Sequence, residues 1–412
     1  MRFTPVQYKI LILFLQSKFW GRQRLQKYLI LLGLLASDNV NFNSMNEVID
    51  IKENKLAENP VISKMVTYDH EQVVFCQDNA TGLKAIIAIH NTTLGPALGG
   101  TRMWNYKNEV EALNDVLRLS RGMTYKAAIT GLNLGGGKAV IIGDSYTQKS
   151  EALFRRFGKF VNSLSGKYIT AEDVGISPSD MEWVKMETDH VAGVPVSLGG
   201  SGDPSPVTAY GVYMGIKAGA KEMYGNDSLT GKKVLVQGIG HVGEVLVKYL
   251  TEENAKVYIT DINENRLADV ASKYGAEVVL GDSIYDLDID IYSPCALGAT
   301  VNSTTIPRLK CAIIAGAANN QLENEVIHGA ELIKKGILYA PDFLINAGGL
   351  INVNREVANY GEDRAMELTQ NIYNTTLDIF KRAIQENIPT YAAANKLAEE
   401  RIRAVGKIKQ VR

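Results

Sequence analysis

The stretch KVLVQGIGHVGEVLVKYLTEENAKVYITD, Lys233–Asp261, decides how the chain is read. Lys233-Val234-Leu235-Val236-Gln237 is a short apolar run that forms a strand, and Val257-Tyr258-Ile259-Thr260 is a second. Between them lie Gly238-Ile239-Gly240-His241-Val242-Gly243 and a helix running to about Thr251. A GxGxxG run between strand and helix, with an acid about 20 residues further on, is a dinucleotide-binding signature. Gly238 permits the tight turn, Gly240 lets a pyrophosphate approach the backbone, and Gly243 lets the helix pack on the strand. His241 and Val242 open the helix, whose free N–H groups face the phosphates. Asp261 suits a ribose diol and would repel a 2′-phosphate, which favours NAD over NADP.

Reading outward, the alternation continues. A helix is expected near Arg266–Tyr274, and strands at Glu277–Val279, Asp290–Ser293 and Ala312–Ala315. Ile337–Leu344 reads as extended, and Asn346–Asn352 opens a helix. Strands alternating with helices make a parallel, doubly wound sheet. From about Asp363 the chain is helical, with Tyr373, Leu377, Phe380 and Ile384 on one face. Upstream, the glycine-rich bridge Gly199–Pro206 marks a domain boundary, and a helix runs from near Pro206 to Gly225.

Before the bridge lies a second α/β unit. Val73–Phe75 and Lys84–His90 read as strands, Gly95–Met103 as a glycine-rich loop, and Glu109–Gly122 and Glu151–Leu164 as helices. Tyr168–Asp173 reads as a strand ending in two carboxylates, with Glu172 facing away from Asp173 because strand neighbours alternate. Lys138 follows Gly135-Gly136-Gly137 at the mouth of the apolar run Ala139–Ile142. A lysine there is poorly solvated, which disfavours its charged form. The glycines are expected to clear side chains from its approach. The segment is no phosphate loop, since Leu132 and Ala139 stand where that motif needs Gly and Ser or Thr.

The totals exclude several classes. A chain of 412 residues accommodates two domains. A net charge of −1 gives no field favouring nucleic acid or an anionic membrane. Cys76, Cys295 and Cys311 are too scattered for a disulfide framework or a zinc site, and suit a reducing cytoplasm. Residues 1–44 are different: the apolar runs Ile10–Leu15 and Tyr28–Ala36 flank a basic segment. Both are too short to span a bilayer, and neither makes a good signal peptide. A basic membrane-surface segment is one reading; the preferred one is an extension outside the fold, with Met45 as an alternative start.

Nine segments taken together carry a resemblance: GPALGGTRM, GMTYKAA, GGGKAV, TAEDVG, GDPSPVTAYG, the GIGHVG turn, SPCALGA, GAANNQL and LINAGGLINV. In this order, across about Val66–Val353, they resemble the glutamate/leucine/phenylalanine/valine superfamily of amino acid dehydrogenases, and most of all its leucine branch, valine-active enzymes included. The resemblance implies NAD-dependent oxidative deamination of an L-amino acid to a 2-oxo acid and ammonia. It implies that Lys126 holds the substrate carboxylate, with Gly99, Gly100 and Met123 along the approach. It makes Lys138 the lysine that activates water and Asp173 the acid/base toward the amino group. Leu98 and Val353 stand where the glutamate branch grips a distal carboxylate, so that substrate would be buried unpaired at a cost of several kcal/mol. Leu98, Ala171, Leu350 and Val353 would form an apolar slot for a branched side chain. Leu350 is a departure toward the phenylalanine branch, and Asp203 stands where the leucine branch often has asparagine. Thr208, Cys295, Ala296, Asn319 and Asn346 resemble residues around the nicotinamide, its ribose or the substrate amino group. Cys295 is expected to pack, with its backbone toward the cofactor.

The expected architecture is therefore two-domain α/β: residues 1–60 outside the fold, 61–200 for substrate, 201–350 a Rossmann-type NAD domain, and 351–412 helices packing back toward the first. No metal, nucleic acid or stable membrane association is expected; a cytoplasmic homo-oligomer is. The alternatives are an aromatic-specific enzyme of the same family and a non-catalytic NAD-binding protein.

Overall fold

The computed structural model describes residues 61–410, so the reading of residues 1–44 lies outside the described residues. After a short helix, α1 (Val61–Tyr68), five strands form the first sheet: β1 (Gln72–Asp78), β2 (Leu83–Asn91), β3 (Ala97–Trp104), β4 (Gly135–Ile142) and β5 (Tyr168–Glu172). Their order is β1-β2-β4-β3-β5. β1 and β2 are antiparallel, as are β2 and β4, whereas β3 runs parallel to β4 and β5. Helix α2 (Glu109–Ile129) covers one face; α3 (Glu151–Asn162) and α4 (Pro178–Lys185) cover the other, over Phe154, Phe157 and Tyr168.

A 20-residue helix, α5 (Ser205–Tyr224), leads into the second sheet. Its strands are β6 (Lys233–Gln237), β7 (Lys256–Thr260), β8 (Glu277–Val278), β9 (Ile291–Pro294), β10 (Ile313–Ile314) and β11 (Leu338–Tyr339). All pairs are parallel, in the order β11-β10-β9-β6-β7-β8. The switch point lies beside β6, so the strand-to-helix turn after β6 opens where such sheets bind ligands. Helices α6 (His241–Glu252), α7 (Glu264–Tyr274) and α8 (Glu325–Lys335) intervene. After β11 come α9 (Asp342–Ile345), α10 (Gly348–Ala358), α11 (Glu362–Gln370) and α12 (Ile372–Glu386), then the closing α13 (Thr390–Gln410). One apolar core runs continuously from Leu98 and Ala127 through α5 and the second sheet to Phe380 and Ala398.

Several expectations are corrected. Gly95–Met103 is mostly a strand, and Gly135–Gly137 begin one rather than precede it, so Lys138 lies inside β4 and not at its mouth. The glycines do not clear room for a substrate beside Lys138. A Cβ on Gly99 would lie 1.8 Å from the Gly137 carbonyl, one on Gly136 2.2 Å from the Thr124 amide, and one on Gly137 2.6 Å from the Tyr168 ring. The protein's own backbone and side chains occupy that space. The first long helix continues past Gly122 to Ile129 and carries Lys126 in its last turn. Ile337–Leu344 is not extended throughout, because Pro341 ends the strand and starts α9. On α12 the buried face is Ile372, Thr376, Ile379, Phe380 and Ala383, and Ile384 is exposed.

The last helix closes onto α2. The Arg401 guanidinium donates to the carbonyls of Leu132 (2.6 Å), Gly131 (3.0 Å) and Ala128 (3.2 Å) and to Asn133 Oδ1 (2.9 Å). The last carbonyls of α2 are capped by the amides of Thr130, Gly131 and Leu132, and the guanidinium ties down the turn that follows. Tyr125 donates to Glu399 nearby at 2.9 Å.

Candidate active site

Lys138 and Asp173 reach each other from parallel strands two apart in the sheet, β4 and the end of β5. The strand between them, β3, carries Gly100, where a Cβ would sit 2.9 Å from the Asp173 Cβ and 2.3 Å from the Glu172 carbonyl. Glycine there lets Asp173 lie against the sheet. Lys138 Nζ is 2.9 Å from Asp173 Oδ2, and only 6 % of Lys138 is exposed. Burial lowers the Lys138 pKa against the opposing pull of Asp173. Burial alone would raise the Asp173 pKa, but Lys138 and Arg102 more than offset it and hold the carboxyl below its usual range.

Lys126 approaches from α2. Its Nζ donates to Asn346 Oδ1 at 2.6 Å. Asn346 in turn donates to the Ala317 carbonyl (3.0 Å) and to Asn319 Oδ1 (2.7 Å), so it ties the lysine helix of the first half to the loop after β10 in the second. Burial drives the Lys126 pKa down to about 8, with Asp342 opposing and Lys138 reinforcing the shift. Asp342 is itself buried and its pKa is raised by desolvation; it accepts from the Gln321 amide at 3.0 Å. Two lysines with lowered pKa values beside a carboxylate held below its usual range can bind an anion, polarise a carbonyl or water, and move a proton.

The apolar residues singled out in the sequence are dispersed around this centre. Leu98 and Leu350 are buried in the continuous core, and Met123 and Val353 pack against it half-buried. Ala171 is buried opposite Gly100 in the β3–β5 ladder, and Met123 Cγ would lie 3.4 Å from a Cβ on Gly99. Glu172 is half-buried and points toward Gly193, with its pKa raised by burial and by Glu356 and Asp203. Glu356 on α10 accepts from Gly193 N (2.9 Å), Ser201 N (2.8 Å) and Ser201 Oγ (2.7 Å), which latches the bridge between the two halves.

The GxGxxG turn has the shape of a dinucleotide cradle. Gly238 takes φ +94°, and a Cβ on Gly243 would meet the Gly238 carbonyl at 2.0 Å. A Cβ on Gly240 would meet nothing within 4 Å, and Gly240 caps α6 without a side-chain acceptor, so the first amides of the helix, at His241 and Val242, face open space. Asp261 accepts from Ile239 N (2.8 Å) and Asn263 N (3.0 Å), one on each oxygen, leaving lone pairs for a diol. Ala296 abuts Gly238, and Cys295 packs with its amide donating to Gln237 (2.7 Å). Cys295 Sγ lies 3.4 Å from Ser293 Oγ. Thr208 Oγ1 donates to Pro204 in the first turn of α5, facing Gly349. The residues present therefore fit a nicotinamide dinucleotide.

The sequence reading missed Arg102, Asp115 and Asp342. Arg102 stood within the quoted GPALGGTRM segment, two residues past Gly100 and so on the same strand face. The signal was there, masked by reading that segment as a loop.

The family of Glu/Leu/Phe/Val dehydrogenases matches this chain almost throughout: its dimerisation domain over residues 70–190 and its second part over 199–263 and 258–409. The chain belongs to this family. It is an amino acid dehydrogenase, a two-domain α/β enzyme of NAD(P)-linked oxidative deamination. A leucine dehydrogenase of Thermoactinomyces intermedius is 56% identical over 347 residues, 84% of this chain and 94% of the relative. An L-tryptophan dehydrogenase of Nostoc punctiforme is 51% identical, over 81% and 93% of the two chains, and a phenylalanine dehydrogenase of Bacillus thermotolerans 49%, over 82% and 90%. The crystal structure of L-tryptophan dehydrogenase from Nostoc punctiforme superposes on this dehydrogenase with a TM-score of 0.77, at 47% identity, covering 84% of this chain and 99% of that one. Among the described residues, no helix is long and apolar enough to cross a membrane.

Proposed function

We propose that this dehydrogenase converts an L-amino acid with a branched aliphatic side chain (leucine, valine or isoleucine), with NAD and water, reversibly into the 2-oxo acid, ammonia and NADH. The observation that carries the reading is the buried Lys138 paired with Asp173 at 2.9 Å, with Lys126 close enough to feel both charges. Bound NAD supplies the hydride acceptor. The Gly238–Gly243 turn, His241, Val242 and Asp261 would hold its adenosine half and pyrophosphate, and Thr208, Cys295, Ala296, Asn319 and Asn346 its nicotinamide end. The Asp261 carboxylate supports NAD over NADP, because it would repel a 2′-phosphate.

In this reading Lys126 binds the substrate carboxylate, releasing Asn346. Asp173, ionised, takes a proton from the substrate ammonium. Lys138, neutral, orients and deprotonates the water that adds to the imine carbon, and the proton then returns to the leaving ammonia. Leu98, Ala171, Met123, Leu350 and Val353 line the side-chain slot, with Gly99 and Gly100 contributing backbone. The substrate domain is 61–200, the NAD domain 201–350, and 351–412 the helices that pack back. We further infer a homo-oligomer, which the dimerisation domain of the family supports, and a cytoplasmic setting, supported by three free cysteines. Leu350 and the aromatic-acting relatives favour a second reading, an aromatic substrate.

NADH formation from a panel of leucine, valine, isoleucine, phenylalanine and tryptophan decides between them. A clear aliphatic preference is expected, and a dominant aromatic one refutes the choice of side chain. Lys138→Ala should lose about a hundredfold or more in kcat, the range of acid–base contributions. Unchanged activity in that variant refutes the role of Lys138.

A further inference from the structure

Asp173 is held from behind. Arg102 Nε donates to Asp173 Oδ2 at 3.1 Å, the same oxygen that faces Lys138. The other end of that guanidinium, Nη1, meets Asp115 Oδ2 at 2.9 Å. Asp115, on α2, is held in turn by Tyr106 (2.8 Å) and by Arg118 (2.9 Å). Charges alternate along this row: Lys138, Asp173, Arg102, Asp115, Arg118. The row ends at a cavity of about 570 Å³, lined by Arg102, Asp115, Arg118 and Tyr106 together with Tyr68 and Trp104. Lys126 on α2 and Glu172 on β5 are the other charged groups near Asp173, and the Tyr168 phenol lies close beneath.

We propose that Arg102 is a positioning residue for the reaction and that Asp115 tunes it: Arg102 fixes Asp173 with Oδ1 free for the substrate and sets the pH range in which the Lys138–Asp173 pair works, while Asp115 limits how much of its charge the pair feels. This rests on the roles proposed above for Lys138 and Asp173. The physical argument is one of sign. A guanidinium beside the pair favours the deprotonated form of both members, the carboxylate by attraction and the amine by repulsion. Direction agrees: Arg102 pulls both pKa values down, and Asp115 pushes that of Lys138 up. Neutralising Arg102 therefore moves the pair's titration to higher pH. Neutralising Asp115 leaves the Arg102 charge less compensated and moves it to lower pH. A purely architectural bridge would not give opposite signs at its two ends.

The test is the pH profile of kcat/KM for oxidative deamination in the whole enzyme. R102Q should shift the acid limb upward by about one unit, the lower end of what a neighbouring charge does to a carboxyl. D115N should shift it downward. R102K, which keeps the charge but not the two-ended geometry, should keep the limb within a few tenths of a unit while kcat falls. R102A should recover activity with guanidinium chloride at concentrations well below denaturing, because the cavity admits the missing group. The inference is overturned if R102Q and D115N profiles superimpose on the wild-type one, or move the same way, with only thermal midpoints changed. K138A run alongside separates the two levels. If K138A is inactive and the Arg102 series is unmoved, only this inference fails; if K138A is fully active, the site assignment fails and takes the inference with it.

Discussion

Acid should weaken this fold through two histidines that take no part in the proposed chemistry. His70 and His90 are both buried, with ring centroids 4.8 Å apart. His90 bridges Thr124 Oγ1 (2.8 Å) and the Tyr68 carbonyl (3.0 Å), and His70 meets Ser120 Oγ at 2.8 Å. Burial, with Arg121 nearby, pushes His70 down to about 4 and His90 to about 3. Folded values below the unfolded one mean that the unfolded chain binds protons first. The stability they contribute is fully present above about pH 6.5 and is lost as pH falls toward the folded values. At pH 5 each ring contributes a loss of about 2 kcal/mol relative to pH 8; discounting His70 for its partial access to solvent, the pair amounts to about 2 to 4 kcal/mol. For a chain of this length that corresponds to roughly 2 to 5 °C in the thermal midpoint. Calorimetry between pH 5 and 8 measures it, with His90→Gln and His70→Gln, which cannot titrate, as comparisons. Their midpoints should start lower but fall less. If the double variant loses as much between pH 8 and 5 as the parent, the histidines are not the cause.

Three further expectations follow from close contacts. Gly136→Ala would drive a methyl to 2.2 Å from the Thr124 backbone, so α2 must lift from β4; about 3 kcal/mol of stability should go, read by thermal melting, along with activity. Glu356→Ala removes the acceptor of three donors in the Gly193–Ser201 bridge, and should cost about 2 kcal/mol while leaving the NADH Kd within a factor of two or so; a thermal midpoint unchanged from the parent would show that the latch is idle. Asp261→Ser should raise the KM for NAD about tenfold or more and narrow the gap to NADP, measured by paired kinetics with the two cofactors; an unaltered ratio would remove Asp261 from the ribose contact.

The second sheet was readable because its evidence is local. A strand, three spaced glycines, a helix and an acid fit within Lys233–Asp261, and each is recognised by its neighbours in sequence. The first sheet was harder for a physical reason. Glycine ordinarily signals a turn, so Gly95–Met103 read as a loop, yet Gly99 and Gly100 sit inside β3 because the Gly137 carbonyl and the Asp173 side chain, far away in sequence, fill the space a Cβ would need. Gly122 ended the helical pattern on paper, but α2 runs through it to Lys126, because packing of the buried face outweighs the roughly 1 kcal/mol that a mid-helix glycine costs. The lysines and Asp173 were visible through their motifs. The Arg102–Asp115 row was not, because a charge's partner 13 or 71 residues away appears only once the chain has folded.

Arg401 has a consequence for how the enzyme is born. The turn that follows the helix bearing Lys126 is tied down by a guanidinium that lies some 270 residues downstream, in the closing helix. During synthesis that turn must wait, wetted by solvent, until nearly all the polypeptide has left the ribosome. A product cut short before Arg401 would carry every group proposed for chemistry and yet lack the clasp on the turn just past Lys126.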